Sequence, residues 1–185
     1  MAAIMRRHPR VHITPRGAPF NTLARAIVGQ QISVKAAQSV WNKVVVCVGE
    51  VSPERVLSRK RKELRACGLS DRKVEYIADL AQHFADGKVH LHRWPQMDDE
   101  AIITELTAVR GIGRWTAEMF LIFNLLRPDV FPLGDLGLQK GIRICYFKRT
   151  PSLNRMRGLG ETWRPWRSAA TWYLWRSLDP LPVEY

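Results

Sequence analysis

The stretch Leu106-Thr107-Ala108-Val109-Arg110-Gly111-Ile112-Gly113-Arg114-Trp115-Thr116-Ala117 reads as a helix, a tight turn and a new helix. Two glycines, one residue apart, interrupt a helical pattern and let a second helix begin at once. Glycine reaches backbone angles closed to other residues and lets another backbone come close. The helix that restarts there opens with unpaired N–H groups, which make an anion site without any side chain. Arg110 and Arg114 add long-range attraction for the same charge. A plain corner between two helices also uses glycine, so this segment alone leaves both readings open.

On either side of the hairpin, nearly every periodic stretch is helical. Phe20, Leu23, Ala24, Ile27 and Val28 recur at helical spacing over 19–30, with Pro19 suited to a first turn. Ser33 caps a second helix that runs to about Cys47 and stops at Gly49. Ser70 opens a third, followed by Gly87, and Asp98 caps a helix over 101–108. The apolar segment 116–126 predicts a helix in the middle of a bundle. After a loop over 128–132, a helix is expected from Asp135 to about Phe147. A Gly/Pro/Arg-rich connection comes next, then a last helix from Pro165 that ends before Pro180. The chain begins at what reads as the end of a helix, at residues 4–7. No run of alternating strand residues interrupts this order, and the fold is read as all-α.

Charge narrows the function. The 185 residues include 29 Lys or Arg against 17 Asp or Glu, a formal net charge of +12. Such an excess favours phosphate-rich partners, because neutralising phosphates releases condensed counterions. Seven tryptophans suit a surface that stacks on bases. Apolar runs such as 44–48 are no longer than five residues, too short for a membrane span, and the basic first dozen residues have no signal-peptide core. Three scattered cysteines form neither a disulfide framework nor a CxxC metal site. A reduced intracellular protein is expected, in the cytoplasm or, in a eukaryotic host, the nucleus.

Beyond Trp115 stands Pro128-Asp129-Val130-Phe131-Pro132-Leu133-Gly134-Asp135-Leu136-Gly137-Leu138, which places Asp135 twenty residues past that tryptophan. With the hairpin before it, this order resembles the helix-hairpin-helix base-excision DNA glycosylases, above all the DNA-3-methyladenine glycosylase II branch. Ala26-Ile27-Val28-Gly29-Gln30-Gln31-Ile32-Ser33-Val34, Gly68-Leu69-Ser70-Asp71-Arg72-Lys73-Val74-Glu75-Tyr76 and Trp163-Arg164-Pro165-Trp166-Arg167-Ser168 match as well. The resemblance implies a single domain of two helical lobes, about 20–130 and 1–19 with 131–185, and a DNA-binding cleft between them. It departs at Gly134, where relatives often carry a second acid, and in lacking the β-rich N-terminal domain of some of them.

The resemblance also implies roles. Asp135 would be the catalytic carboxylate, either stabilising positive charge on the sugar or orienting the attacking water. Trp115, Met119 and Trp175 would line the pocket for a base flipped out of the duplex. Gln31 would fill the gap that base leaves, and Arg110, Gly111, Gly113 and Arg114 would hold the DNA backbone. The carbonyls of Thr107, Val109 and Ile112 would hold a Na⁺ or K⁺ ion beside a phosphate, with no other cofactor required. The implied partner is double-stranded DNA with alkylated bases, bound by a monomer and not by a membrane protein. Glycosylases that also nick the strand carry a lysine at the position of Trp115, and without that amine no Schiff base forms. Their iron–sulfur relatives carry four closely spaced cysteines. Two rival readings stand beside this one: a non-catalytic DNA-binding module, and a glycosylase of the same fold acting on uracil or oxidised purines.

Overall fold

A computed structural model describes residues 1–9 and 13–178, and every regular element among them is helical. The chain divides into two compact units, Arg16–Phe120 and Met1–Pro15 with Leu121–Glu184. That division falls about ten residues before the lobe boundary drawn near 130 from the sequence, because the apolar 116–126 segment contributes to both units.

The Arg16–Phe120 unit holds α2 (Pro19–Gly29), α3 (Val34–Val48), α4 (Pro53–Leu57), α5 (Arg61–Ala66), α6 (Asp71–Ala85), α7 (Asp99–Thr107) and the first part of α8 (Arg114–Phe123). Local chemistry sets most starts. Ser33, Ser70 and Asp98 accept hydrogen bonds from Ala36 N, Lys73 N and Ala101 N at 3.3, 3.3 and 2.7 Å, each meeting a donor the helix leaves open. Leu23, Ile27, Ile77, Leu80, Ile102 and Leu106 are fully buried and form its core. The short helices α4 and α5 are absent from the sequence reading. Each is stabilised by one buried anchor, Val56 and Leu64, too few residues to show a period.

The other unit holds α1 (Ala2–Arg7), the end of α8, α9 (Leu136–Tyr146), α10 (Leu153–Glu161) and α11 (Arg167–Leu178). Ile4, Leu138, Ile142, Met156 and Leu174 form its buried cluster. α9 and α11 meet almost backbone to backbone, since a Cβ on Gly141 would lie 3.0 Å from the Leu174 carbonyl oxygen.

Three expectations change here. The helix read over 116–126 ends at Phe123. Leu126 takes a left-handed φ of 54°, and Arg127 N reaches back to Leu121 O at 2.9 Å, a closure that stops a helix despite a continuing apolar pattern. The Gly/Pro/Arg-rich connection contains α10, capped by Ser152. Its glycines hid the helical pattern, yet Gly160 is needed, because a Cβ there would lie 2.6 Å from the Phe131 ring. The last helix starts at Arg167 and not at Pro165, since Ser168 N donates to Pro128 O at 3.0 Å instead of entering the helical ladder.

That contact is part of a clasp on the loop before Asp135. Ser168 Oγ donates to Arg127 O at 2.6 Å and accepts from Val130 N at 2.9 Å. Arg167 bonds both carboxylate oxygens of Asp129, at 2.7 and 2.9 Å, and its carbonyl at 2.9 Å. Burial pushes the Asp129 carboxyl up, but the Arg167 hydrogen bonds and charge, with Arg164 beside them, hold it below its usual range. A carboxyl lowered in the folded state stabilises above its unfolded value near 3.9 and loses that contribution as pH falls through the folded value. Asp129→Ala should therefore cost about 2 kcal/mol near neutral pH. Urea unfolding of wild type and variant from pH 6 downward should show the gap closing below about pH 4. A gap independent of pH would contradict the clasp.

Candidate active site

Asp135 stands at the N-terminus of α9, 8% exposed, with φ −73° and ψ 121°. Its Oδ1 accepts from Leu138 N at 2.6 Å and from Trp175 Nε1 at 2.8 Å. Two N–H donors and the positive end of an eleven-residue helix thus face one carboxylate oxygen. Trp175 is itself fixed by Phe123, whose ring lies 5.9 Å away and 21° from parallel. Gly137 closes the third side: a Cβ there would meet Asp135 Oδ1 at 3.1 Å and Trp175 Cδ1 at 3.2 Å. The arrangement is a carboxylate locked in one orientation.

In the other unit, the glycine turn joins α7 to α8. Gly111 has φ +83°, and a Cβ on it would fall 2.3 Å from the Tyr76 ring. Its carbonyl accepts from Gln30 Nε2 at 2.8 Å, and the neighbouring Arg110 N donates to Asp79 Oδ2 at 2.8 Å. Val109 and Ile112 are buried beneath the turn. Gly113 differs from Gly111: its φ is not positive, and a Cβ would meet nothing within 4 Å. Its value at this position is open space, not an unusual backbone angle.

The arginines divide likewise. Arg110 is exposed. Arg114 pairs with both carboxylate oxygens of Glu100 and, through Nε at 3.1 Å, with Glu118. Arg114 is therefore held in place by two carboxylates, which offset part of its charge, while its side chain stays 57% exposed at the hairpin.

Trp115 is 40% exposed at the first turn of α8, whereas Met119, one turn on, is 7% exposed and sits in the core. Gln31 lies between α2 and α3 with φ 61°, a left-handed angle that costs a non-glycine residue of order 1 kcal/mol. Its side chain and that of Ile32 are exposed at this tip.

The description "HhH-GPD superfamily base excision DNA repair protein" matches residues 24–165. The chain belongs to this superfamily. DNA-3-methyladenine glycosylase 1 of Schizosaccharomyces pombe is 37% identical over 86% of this chain and 72% of its own length. A DNA-3-methyladenine glycosidase from Bacillus halodurans superposes with a TM-score of 0.90 at 32% identity, over 96% of this chain and 83% of the other. The S. pombe 3-methyladenine DNA glycosylase in complex with abasic DNA gives 0.80 at 30% identity, over 98% and 93%. Such relatives place the chain in the alkylation-repair branch. It spans 66% of the length of one curated relative and 72% of another.

Within this HhH-GPD chain, sequence reasoning missed most of the contacts that hold the site. Trp175, read from the sequence as pocket lining, also donates its N–H to the carboxylate. Gln30, Tyr76 and Asp79 fix the hairpin from α2 and α6, and Lys73 Nζ pins the end of α2 through Val28 O at 2.7 Å. Gln30, Lys73 and Tyr76 fall inside motifs quoted from the sequence, so their location was visible while their partners were not. Among the described residues no cluster of three His, Cys, Asp or Glu side chains is arranged to hold a metal, and no helix is long and apolar enough to cross a membrane.

Proposed function

We propose that this protein is a monofunctional DNA glycosylase that hydrolytically removes N3- and N7-alkylated purines from double-stranded DNA. The observation that carries the reading is the Asp135 carboxylate, fixed by Leu138 N–H and Trp175 N–H at a helix N-terminus. As the glycosidic bond breaks, positive charge grows on the sugar. A fixed carboxylate stabilises that charge without reorganising, commonly the largest single contribution to catalysis. The same group is able to orient water for attack.

Trp115 supplies an indole face for the flipped base, and a purine alkylated at N3 or N7 is cationic, so it is attracted to that face more than a normal base is. Gln31, at the exposed tip, fills the gap left in the duplex. The hairpin holds the DNA backbone through the N–H groups at the start of α8, with Gly113 leaving room for a phosphate and Arg110 adding charge. The carbonyls of Thr107, Val109 and Ile112 suit a monovalent cation: Thr107 ends α7, where carbonyls lack intrahelical partners, and the Val109 carbonyl keeps a lone pair beyond the one that Ile112 N uses. Such an ion would help neutralise a phosphate.

An indole cannot form a Schiff base, so Trp115 supports a purely hydrolytic reaction. The product on a 7-methylguanine duplex should be an intact abasic strand that breaks only after alkali or heat. Borohydride added during turnover should trap no covalent enzyme–DNA adduct. A trapped adduct would show that another amine acts and that the hydrolytic assignment is wrong.

A further inference from the structure

Two of the three cysteines lie together, far in sequence from the candidate active site and unused by it. Cys47 is in the last turn of α3, and Cys67 follows the end of α5. Both line one surface cavity of about 490 Å³, together with Asn42, Lys43, Val46 and Glu63. The Cys67 thiol is anchored between two helices: its Sγ lies 3.5 Å from Lys43 O and 3.4 Å from Glu63 O. Lys43 O is the carbonyl that Cys47 N–H meets in the i→i−4 ladder of α3. The Cys67 sulfur therefore sits against the backbone turn that carries Cys47. Both thiols are free in the structure, and the third, Cys145, is exposed beside Ser177.

We infer that Cys47 and Cys67 form an oxidisable dithiol site, which a hydroperoxide closes to a disulfide joining α3 to α5. The order of steps follows from exposure. Cys67 is buried, and burial together with the neighbouring Cys47 pushes its thiol up to about 11. It stays protonated near neutral pH and exposes little of its surface to an oxidant in solvent. Cys47 is half-buried and opens on the cavity. Its thiolate, having lost a proton to solvent, attacks the peroxide O–O bond, giving a Cys47 sulfenic acid and expelling hydroxide or alkoxide, which takes up a proton. The Cys67 sulfur then displaces hydroxide from the Cys47 sulfur. The S–O bond breaks, the S–S bond forms, and the Cys67 proton leaves with the hydroxide as water. Two thiols lose two electrons in all, and the hydroperoxide is reduced to water plus water or alcohol. A thiol reductant reverses the bond by exchange.

The test uses the folded full-length chain and hydrogen peroxide, followed by alkylation and peptide mapping. A Cys47–Cys67 linked peptide should appear, with the intact mass falling by two hydrogens, while Cys145 remains alkylated. Dithiothreitol should restore three alkylated thiols. Cys47→Ser should lose the linked peptide and leave Cys67 a thiol. Cys67→Ala should stop at a Cys47 sulfenic acid that a cyclic dione traps. If wild type yields only singly oxidised Cys47, or only intermolecular bonds through Cys145, the dithiol site is wrong. Oxidation of Cys67 in Cys47→Ser at the wild-type rate would overturn the order of steps.

Discussion

Asp135→Asn should abolish base release while leaving DNA binding nearly intact. The amide oxygen of asparagine keeps the acceptor that Leu138 N–H and Trp175 N–H now engage, so the N-cap and the indole stay in place. What the change removes is the negative charge. If that charge stabilises the sugar cation, single-turnover release of 7-methylguanine should fall by about 10³-fold. Affinity for an undamaged duplex should stay within about twofold, since each tenfold change needs about 1.4 kcal/mol. Asp135→Ala should be worse in one further respect: it loses the cap, at about 1 kcal/mol of stability. Turnover like wild type in Asp135→Asn would remove the carboxylate from the mechanism.

Gly111→Ala should be the most damaging change on the DNA-holding side. A side chain at φ +83° costs about 1–2 kcal/mol, and the new methyl would overlap the base of the Tyr76 ring at 2.3 Å. The hairpin or α6 has to move, and the Gln30 bond to Gly111 O moves with it. Stability should drop by about 2–4 kcal/mol, and affinity for any duplex should weaken together with its salt dependence. Gly113→Ala, where space is open, should keep stability within about 0.5 kcal/mol. Adding Tyr76→Ala to Gly111→Ala should recover the overlap part of the loss and none of the strain. Equal behaviour of the two glycine variants would contradict the geometry assigned to this turn.

How much was legible in advance depended on the range of the interactions. Caps are local, and Ser33, Ser70, Asp98 and Asp135 declared their helices within three residues. The Gly-x-Gly turn declared the hairpin, yet only the fold separates Gly111, pressed on Tyr76, from Gly113, facing open space. Glu118 is one helical turn from Arg114, a local pairing, whereas Glu100 reaches it from α7. Trp175 is forty residues from Asp135, and its N–H became meaningful only when α9 and α11 packed at Gly141. α10 stayed hidden because its two glycines, of which Gly160 accommodates the Phe131 ring, erase the apolar period by which a helix is read.

In the proposed mechanism, fixed negative charge and an electron-rich indole select bases that already carry positive charge. A neutral base is a poor leaving group and needs a proton donor or specific hydrogen bonds, whereas an N3- or N7-alkylated purine departs as a neutral molecule. The most direct measurement is single-turnover base release from matched duplexes containing 3-methyladenine, 7-methylguanine, uracil or 8-oxoguanine, with wild type and Trp115→Ala. The two alkylated purines should leave at least about tenfold faster than the neutral bases, a difference of only 1.4 kcal/mol in barrier, and Trp115→Ala should slow the cationic bases most. Uracil or 8-oxoguanine as the best substrate, or an equal loss on all four bases in Trp115→Ala, would contradict the account.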